Sequence, residues 1–220
     1  MLDGSYEANQ QLIQFAQQEK EIQLTTYELA RYWVQHIAFY VSEKDLSLLS
    51  PCNTQNYTLA LQKLDGYLLS PGASFNANRE LSKVKGYCTG RGEANFLFYG
   101  GVCGMTAQVF RTTLIHPNIE IVKRRPHNEW FVQYYGEEIG GDDAAIYEMS
   151  KQFEIKNIGT DDIYFKVKRN TKHTLLIAIS PRTPQRVEIS KQTSTQHSIT
   201  LERKIWESAP GDTNILVPSL

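Results

Sequence analysis

The stretch beyond Met149 limits the fold more than any other. Five short runs, "QFEIKNI", "DIYFKVKR", "TLLIAIS", "RVEIS" and "SITLERKI", alternate apolar with polar residues and are separated by turn-forming residues. Alternation of period two puts one face of a strand on a core and the other toward water. Runs this short, joined by turns, read as a β meander. Such a meander cannot bury its apolar face by itself and must pack on something. What it packs on has to come from the preceding two thirds of the chain.

That portion is largely helical in pattern. Residues from about Tyr6 to Val41 read as helix, with Leu29, Trp33, Ile37 and Tyr40 sharing a face. "SPCN" interrupts the run: Pro51 stops a helix, and Asn53 or Thr54 caps the next. That next helix, "TQNYTLALQKLDG", sets Tyr57, Leu61 and Leu64 on one side and ends at Gly66. "YLLSPGASFN" is a short apolar run into a Pro71–Gly72 turn. Residues 76–101 read as loop-rich, with one short strand at "NFLFY". From Val102 to Leu114 the helical period returns, with Val102, Met105, Val109 and Thr113 on one face and Pro117 ending the element. "IEIVKRR", "EWFVQYY" and "AAIYE" are strand candidates. Helices segregated from antiparallel strands predict an α+β fold. Its parts are N-terminal helices, a cysteine-opened helix packed on an antiparallel sheet, and a C-terminal β meander. The expected organisation is a helical segment over 1–50, a core over 51–168, and strands with a tail over 169–220, all in one compact unit.

Composition excludes several classes. The 220 residues carry a net charge of −1, so no global field recruits nucleic acid or an anionic membrane. The basic run Lys123–Arg125 is too short to change that and reads as a solvated strand end. "MLDGSYEANQQ" has neither the basic nor the apolar region of a signal peptide. "LARYWVQHIAFYV" is too short for a membrane span and carries Arg31, Gln35 and His36. The three cysteines form no C-x-x-C pair, so no structural zinc site is expected. Cys52 and Cys88 either form a disulfide in an oxidising compartment or remain two thiols, since a bridge requires close Cα atoms.

The third cysteine lies in "FYGGVCGMTAQVF", where a Gly-Gly turn becomes a helix. A helix N-terminus supplies partial positive charge and free N–H groups, which favour a thiolate. Cys103 there is either a nucleophile or an inert small residue, and its partners decide. His127 follows one helix and one predicted strand later, in "RRPHNEW", and "GGDDAA" supplies Asp143 after it. A cysteine on a helix, a histidine on a strand and an acid on the neighbouring strand can form a nucleophile, a base and an orienting group. Papain-like and transglutaminase-like enzymes use this order, an analogy of element type only.

A closer resemblance covers Asn53 to about Val167. "NTQNYTLALQKLDGYLLSPGASFN", "GGVCGMTAQVF", "IEIVKRRPHNEWFVQYY", "GGDDAAI" and "FEIKNIGTDDIYFKV" resemble, in order, the motifs of the VanW-like family. That resemblance implies a bacterial cell-envelope protein of a family often attached to wall-binding modules. It places the family's Cys, His and Asp on Cys103, His127 and Asp143. The family's Ser falls on Thr106, and the Arg before its Pro-His on Arg124 or Arg125. There are departures. The Gln that usually follows the Cys is Gly104, so an oxyanion role would pass to Gln108 or a backbone N–H. Asn128 stands where Ser is usual.

The catalytic candidates are therefore Cys103, His127 and Asp143. The substrate-binding candidates are Gly101, Gly104, Thr106, Arg125, Asn128 and Trp130. Each has a plainer reading. His127 could simply brace its loop, Asp142 could take the place of Asp143, and Thr106 could be helix surface or core. His116 could support the helix dipole or compete as the base. Tyr99, Trp130, Tyr134 and Tyr135 could line a groove or fill a core. Cys88, Cys103, His116 and His127 match no metal-ligand spacing, so neither metal nor cofactor is expected. Two functions follow as expectations. One is a cell-envelope thiol enzyme cleaving an amide or ester, with peptidoglycan peptides as the natural substrate. The other is a binding module using the same pocket without chemistry. A cytoplasmic location is the alternative to the envelope. No oligomeric state is specified.

Overall fold

The computed structural model describes residues 38–47, 49–92, 96–97, 99–127, 143–147, 150–169, 173–180, 186–195 and 198–206. The expected helix over residues 6–37 lies outside them, as do Asn128, Trp130, Tyr134, Tyr135, Asp142 and the expected strand "EWFVQYY".

The expectation of helix as far as Val41 fails over its last residues. Ala38–Asp45 is a strand, β1. The helical spacing of Ile37 and Tyr40 competes there with the run Phe39-Tyr40-Val41, whose aromatic and β-branched residues favour extended backbone. The strand His173–Ser180, β9, supplies an antiparallel partner along its whole length, from Ala38↔Ser180 to Asp45↔His173.

Helix α1, Pro51–Gln62, begins earlier than the "SPCN" pattern suggests. Its cap is Ser50, whose Oγ accepts the Asn53 N–H at 3.3 Å, and Pro51 opens the first turn instead of stopping a helix. Short strands β2, Leu68–Leu69, and β3, Ser74–Asn76, follow, with the expected turn between them. Asn76 then caps a short helix α2, Ala77–Leu81. Gly90–Arg91 (β4) pairs with Phe96–Leu97 (β5), inside the expected "NFLFY" strand. Helix α3 spans Val102–Ile115 and leads to β6, Ile119–Lys123, both close to expectation.

The remaining strands are β7, Glu154–Asn157; β8, Ile163–Arg169; β10, Arg186–Thr195; and β11, Ser198–Trp206. They do not form one meander. β7 lies between β3 and β6 in a three-stranded sheet. β8 and β9 join a four-stranded sheet in the order β1-β9-β8-β2, and β10–β11 is a separate hairpin. The reason is that the four residues of β7 find their partners upstream, three of them in β3 and all four in β6. "AAIYE" is not a strand: Ala144–Ile146 join no ladder among the described residues, and Tyr147 makes one isolated bridge to Lys151. The result is nonetheless α+β, with helices packed on antiparallel sheets. Among the described residues no helix is long and apolar enough to cross a membrane.

Helix α3 is the centre of the molecule and touches α1, β1, β6, β9 and β10. All its residues except Cys103 and Arg111 are buried. Met105, Val109 and Phe110 enter one core with Tyr57, Leu61, Phe75, Phe153 and Phe165. Each such side chain contributes about 1.5–3 kcal/mol on burial. The helix also buries polar side chains, which must be hydrogen-bonded to avoid a desolvation cost. Gln108 Nε2 donates to the Ser42 and Thr174 carbonyls at 2.9 and 3.2 Å, and its Oε1 accepts from the Tyr57 hydroxyl. Ser42 Oγ and Thr112 Oγ1 are 2.6 Å apart. These bonds lock α3 to α1, β1 and β9. At its C-terminal end, Arg203 of β11 donates from Nη1 to the carbonyls of Thr113, His116 and Ile119 at 2.9–3.2 Å. A cation on orphan helix carbonyls is favourable, and it fastens the hairpin to the helix.

Candidate active site

The opening of α3 depends on one glycine conformation. Gly101 caps the helix at φ 102°, a region closed to most side chains. A Cβ there would also lie 2.5 Å from the Asn53 carbonyl oxygen. The turn is held from α1. Asn56 Nδ2 donates to the Gly100 and Cys88 carbonyls at 2.9 and 2.7 Å, and its Oδ1 accepts the Cys88 N–H at 2.8 Å. Asn53 pairs with Arg91 in the same two-sided way, Nδ2 to carbonyl at 2.9 Å and N–H to Oδ1 at 2.8 Å. Cys52 and Cys88 are disulfide-bonded, with Cα atoms 5.9 Å apart. The bridge and the two asparagines therefore fix the loop through Cys88 against α1, and with it the turn that presents Cys103. Sequence reading treated Asn53 only as a cap and missed Asn56. The available signal was two asparagines within the first turns of a helix, where their propensity is poor unless the side chain is engaged.

Cys103 is the free cysteine and is half-buried. Its Sγ lies 3.5 Å from both the N–H and the carbonyl oxygen of Ile146. The Val102 N–H is taken by Tyr99 O and that of Gly104 by Gly101 O. Among the described residues no carbonyl outside the helix takes the Cys103 N–H.

His127 and Asp143 come from two unpaired segments, 124–127 and 143–146, and not from two neighbouring strands as expected. They are brought together by backbone contact: the Ala145 N–H donates to Arg125 O at 2.8 Å. Asp143 Oδ2 accepts the His127 backbone N–H at 3.0 Å and also bonds His127 Nδ1. The imidazole is 8% exposed and the carboxylate 1%. Burial pulls the imidazole pKa down, but the hydrogen bond to the Asp143 carboxylate and the nearby Cys103 outweigh it and push it up to about 9.

Of the two arginines that matched the family motif, Arg124 is the one that turns inward. Its Nε donates to the Asp143 carbonyl at 2.8 Å, Nη2 lies 4.0 Å from Asp143 Oδ1, and the guanidinium stacks 4.3 Å from the Phe110 ring centroid. Arg125 is exposed and contributes its carbonyl. Thr106 is buried, and its Oγ1 donates to the Cys103 carbonyl at 3.0 Å and contacts Ala144 O, tying the helix to the Asp143 segment. Gly104 faces away from this cluster: a Cβ would sit 3.3 Å from the Tyr57 ring. Gln108 is consumed by Ser42, Thr174 and Tyr57 and is not at the sulfur.

His116 does not compete as the base. It sits at the far end of α3, about 20 Å from Cys103 by helical rise. Its Nδ1 accepts the Asn118 N–H at 3.1 Å, which leaves the proton on Nε2, 2.8 Å from Ser180 Oγ. Burial, with Arg203 nearby, pulls its pKa down to about 3. With Cys88 in a disulfide and His116 remote, the four side chains weighed as metal ligands do not converge.

A cavity of about 740 Å³ lies beside the cluster. Val102 and Ile146 line it, the residue preceding Cys103 and the residue whose backbone brackets Sγ. Tyr99, read from sequence as groove or core, is also in its wall.

A family model described as VanW like protein matches residues 53–180, a span that holds Cys103, His127 and Asp143. No curated protein and no solved structure matches the chain.

Proposed function

The chain belongs to the VanW-like family, and from that premise we propose a thiol enzyme of the cell envelope that acts on an amide or ester bond through Cys103, His127 and Asp143. The observation that carries this reading is an imidazole hydrogen-bonded to the buried Asp143 carboxylate, on the segment whose Ile146 backbone lies 3.5 Å from the Cys103 sulfur. The His127 ring, in its neutral form, accepts the Cys103 proton as Sγ attacks the substrate carbonyl carbon. The Cys103 N–H, at the positive end of α3, faces the developing oxyanion. The tetrahedral adduct collapses to a thioester as the imidazolium gives its proton to the leaving amine or alcohol. Water or an acceptor amine, deprotonated by His127, then displaces the sulfur. Asp143 keeps the ring oriented and stabilises its charge.

Family context makes peptidoglycan stem peptides the substrate class. The Cys52–Cys88 disulfide supports an oxidising, extracytoplasmic compartment, where such bonds persist. The test is incubation of the protein with muropeptides, read by mass spectrometry beside Cys103→Ala. Cleaved or transferred peptide from wild type alone is expected. Muropeptides bound equally by both proteins and left intact would favour the non-catalytic binding module instead.

A further inference from the structure

The acyl-transfer steps leave the neighbouring cavity unused. Its volume falls within the range of small-ligand pockets, roughly 300–1,000 Å³. Leu81, Val84, Val102 and Ile146 give it aliphatic walls, and Tyr87 and Tyr99 add aromatic ones. The walls are held by their own bonds. Tyr87 donates to Leu81 O at 3.3 Å, Asn76 Oδ1 caps α2, and Asn78 Nδ2 donates to Lys151 O at 2.9 Å. The cavity is therefore formed before any ligand arrives.

Its charge is one-sided. Arg79 and Lys123 line it, and among the described residues no Asp or Glu does. Each cation is steadied by a carboxylate outside the lining: Arg79 Nε is 2.8 Å from Glu80 Oε1, and Lys123 Nζ is 3.6 Å from Glu154 Oε2. Both cationic side chains are more than half exposed, at 62% and 53%, so further N–H donors remain open to a ligand. An apolar cleft whose own lining charges are cations, each met by a carboxylate only from behind, disfavours a cationic guest and favours an anionic one with an apolar body.

Resting on the thiol-enzyme reading, which puts the nucleophile one residue from the cavity wall, we propose that this cavity is the subsite for a peptide's free carboxylate end. Arg79 and Lys123 take the carboxylate. Val84, Tyr87 and Tyr99 enclose the aliphatic side chains. The bond to be cleaved lies toward Val102 and Ile146.

The test uses the full chain carrying Cys103→Ala, which cannot turn substrate over. It is titrated calorimetrically with N-acetyl-Ala-Leu-Ala as the free acid and as the C-terminal amide. The acid is expected to bind about tenfold more tightly than the amide, the value of a charge-assisted contact. Lys123→Gln and Arg79→Gln, both at exposed positions, should each erase most of that preference without changing amide binding. Equal affinities for acid and amide, a preference that survives both substitutions, or no binding of either peptide at millimolar concentration overturns the proposal. The background has no nucleophile, so such a failure leaves the thiol chemistry standing. Conversely, selective binding with an inert wild-type thiol would defeat that chemistry and spare the subsite.

Discussion

Raising the pH from 6.5 toward 9 should destabilise this protein, and His127 should be the reason. In the folded chain its pKa is pushed up to about 9, against about 6.5 when unfolded. Between those values the native state holds a proton that the unfolded chain has released. The stability this confers is complete below pH 6.5 and is lost as pH rises through 9. At about 1.36 kcal/mol per pH unit, the whole window is worth about 3 kcal/mol. The ring and its carboxylate are 8% and 1% exposed, so solvent screens the pair little. Lys44 complicates the upper end. Burial, and Arg111 beside it, pull its pKa down to about 8, so above pH 8 it acts in the opposite sense. The clean interval is therefore pH 6.5 to 8, in which His127 accounts for about 2 kcal/mol. Urea unfolding followed by tryptophan fluorescence, at half-unit steps across that interval, measures it. Wild type should lose about 2 kcal/mol, His127→Gln should be nearly flat, and Asp143→Asn should retain only the part due to Cys103. A flat or rising wild-type profile, or an unchanged slope in His127→Gln, would refute the reasoning.

Three further outcomes are expected. Reducing the Cys52–Cys88 bond, which closes a separation of 36 residues, should cost about 4 kcal/mol on chain-entropy grounds; an unchanged urea midpoint after verified reduction would contradict this. Asn56→Ala removes bonds to Cys88 N–H, Cys88 O and Gly100 O and should cost about 2–4 kcal/mol, with the urea midpoint as the measure and a slower reaction of Cys103 with iodoacetamide beside it. Gly104→Gln restores the family's usual residue but drives a side chain into the Tyr57 ring, 3.3 Å from the new Cβ; a loss of about 1–3 kcal/mol is expected, and a variant as stable as wild type would show that α1 gives way freely.

The parts of the fold that were legible in sequence are those written by local period. Helix α3 and strand β6 followed from apolar spacing bounded by Gly101 and Pro117, and Cys103, His127 and Asp143 stood out as chemically distinctive residues in adjoining motifs. What failed depended on distant partners. The fate of β7 was decided by β3 and β6, and β1 was decided by β9, more than a hundred residues away. Gln108 suggested an oxyanion donor because its actual partners, Ser42 and Thr174, are each 66 residues off. Arg124 and Arg125 are adjacent, so only the direction of the backbone at the end of β6 separates the inward residue from the exposed one. Asn53 and Asn56 hold a loop that no local pattern ties to them.

The most direct measurement is the rate of Cys103 alkylation by iodoacetamide at neutral pH, in wild type and in His127→Ala. A sulfur served by the imidazole reacts faster than a lone thiol, so the substitution should slow alkylation by about tenfold or more. Equal rates in the two proteins would mean that His127 does not activate the sulfur, and the account would lose its nucleophile.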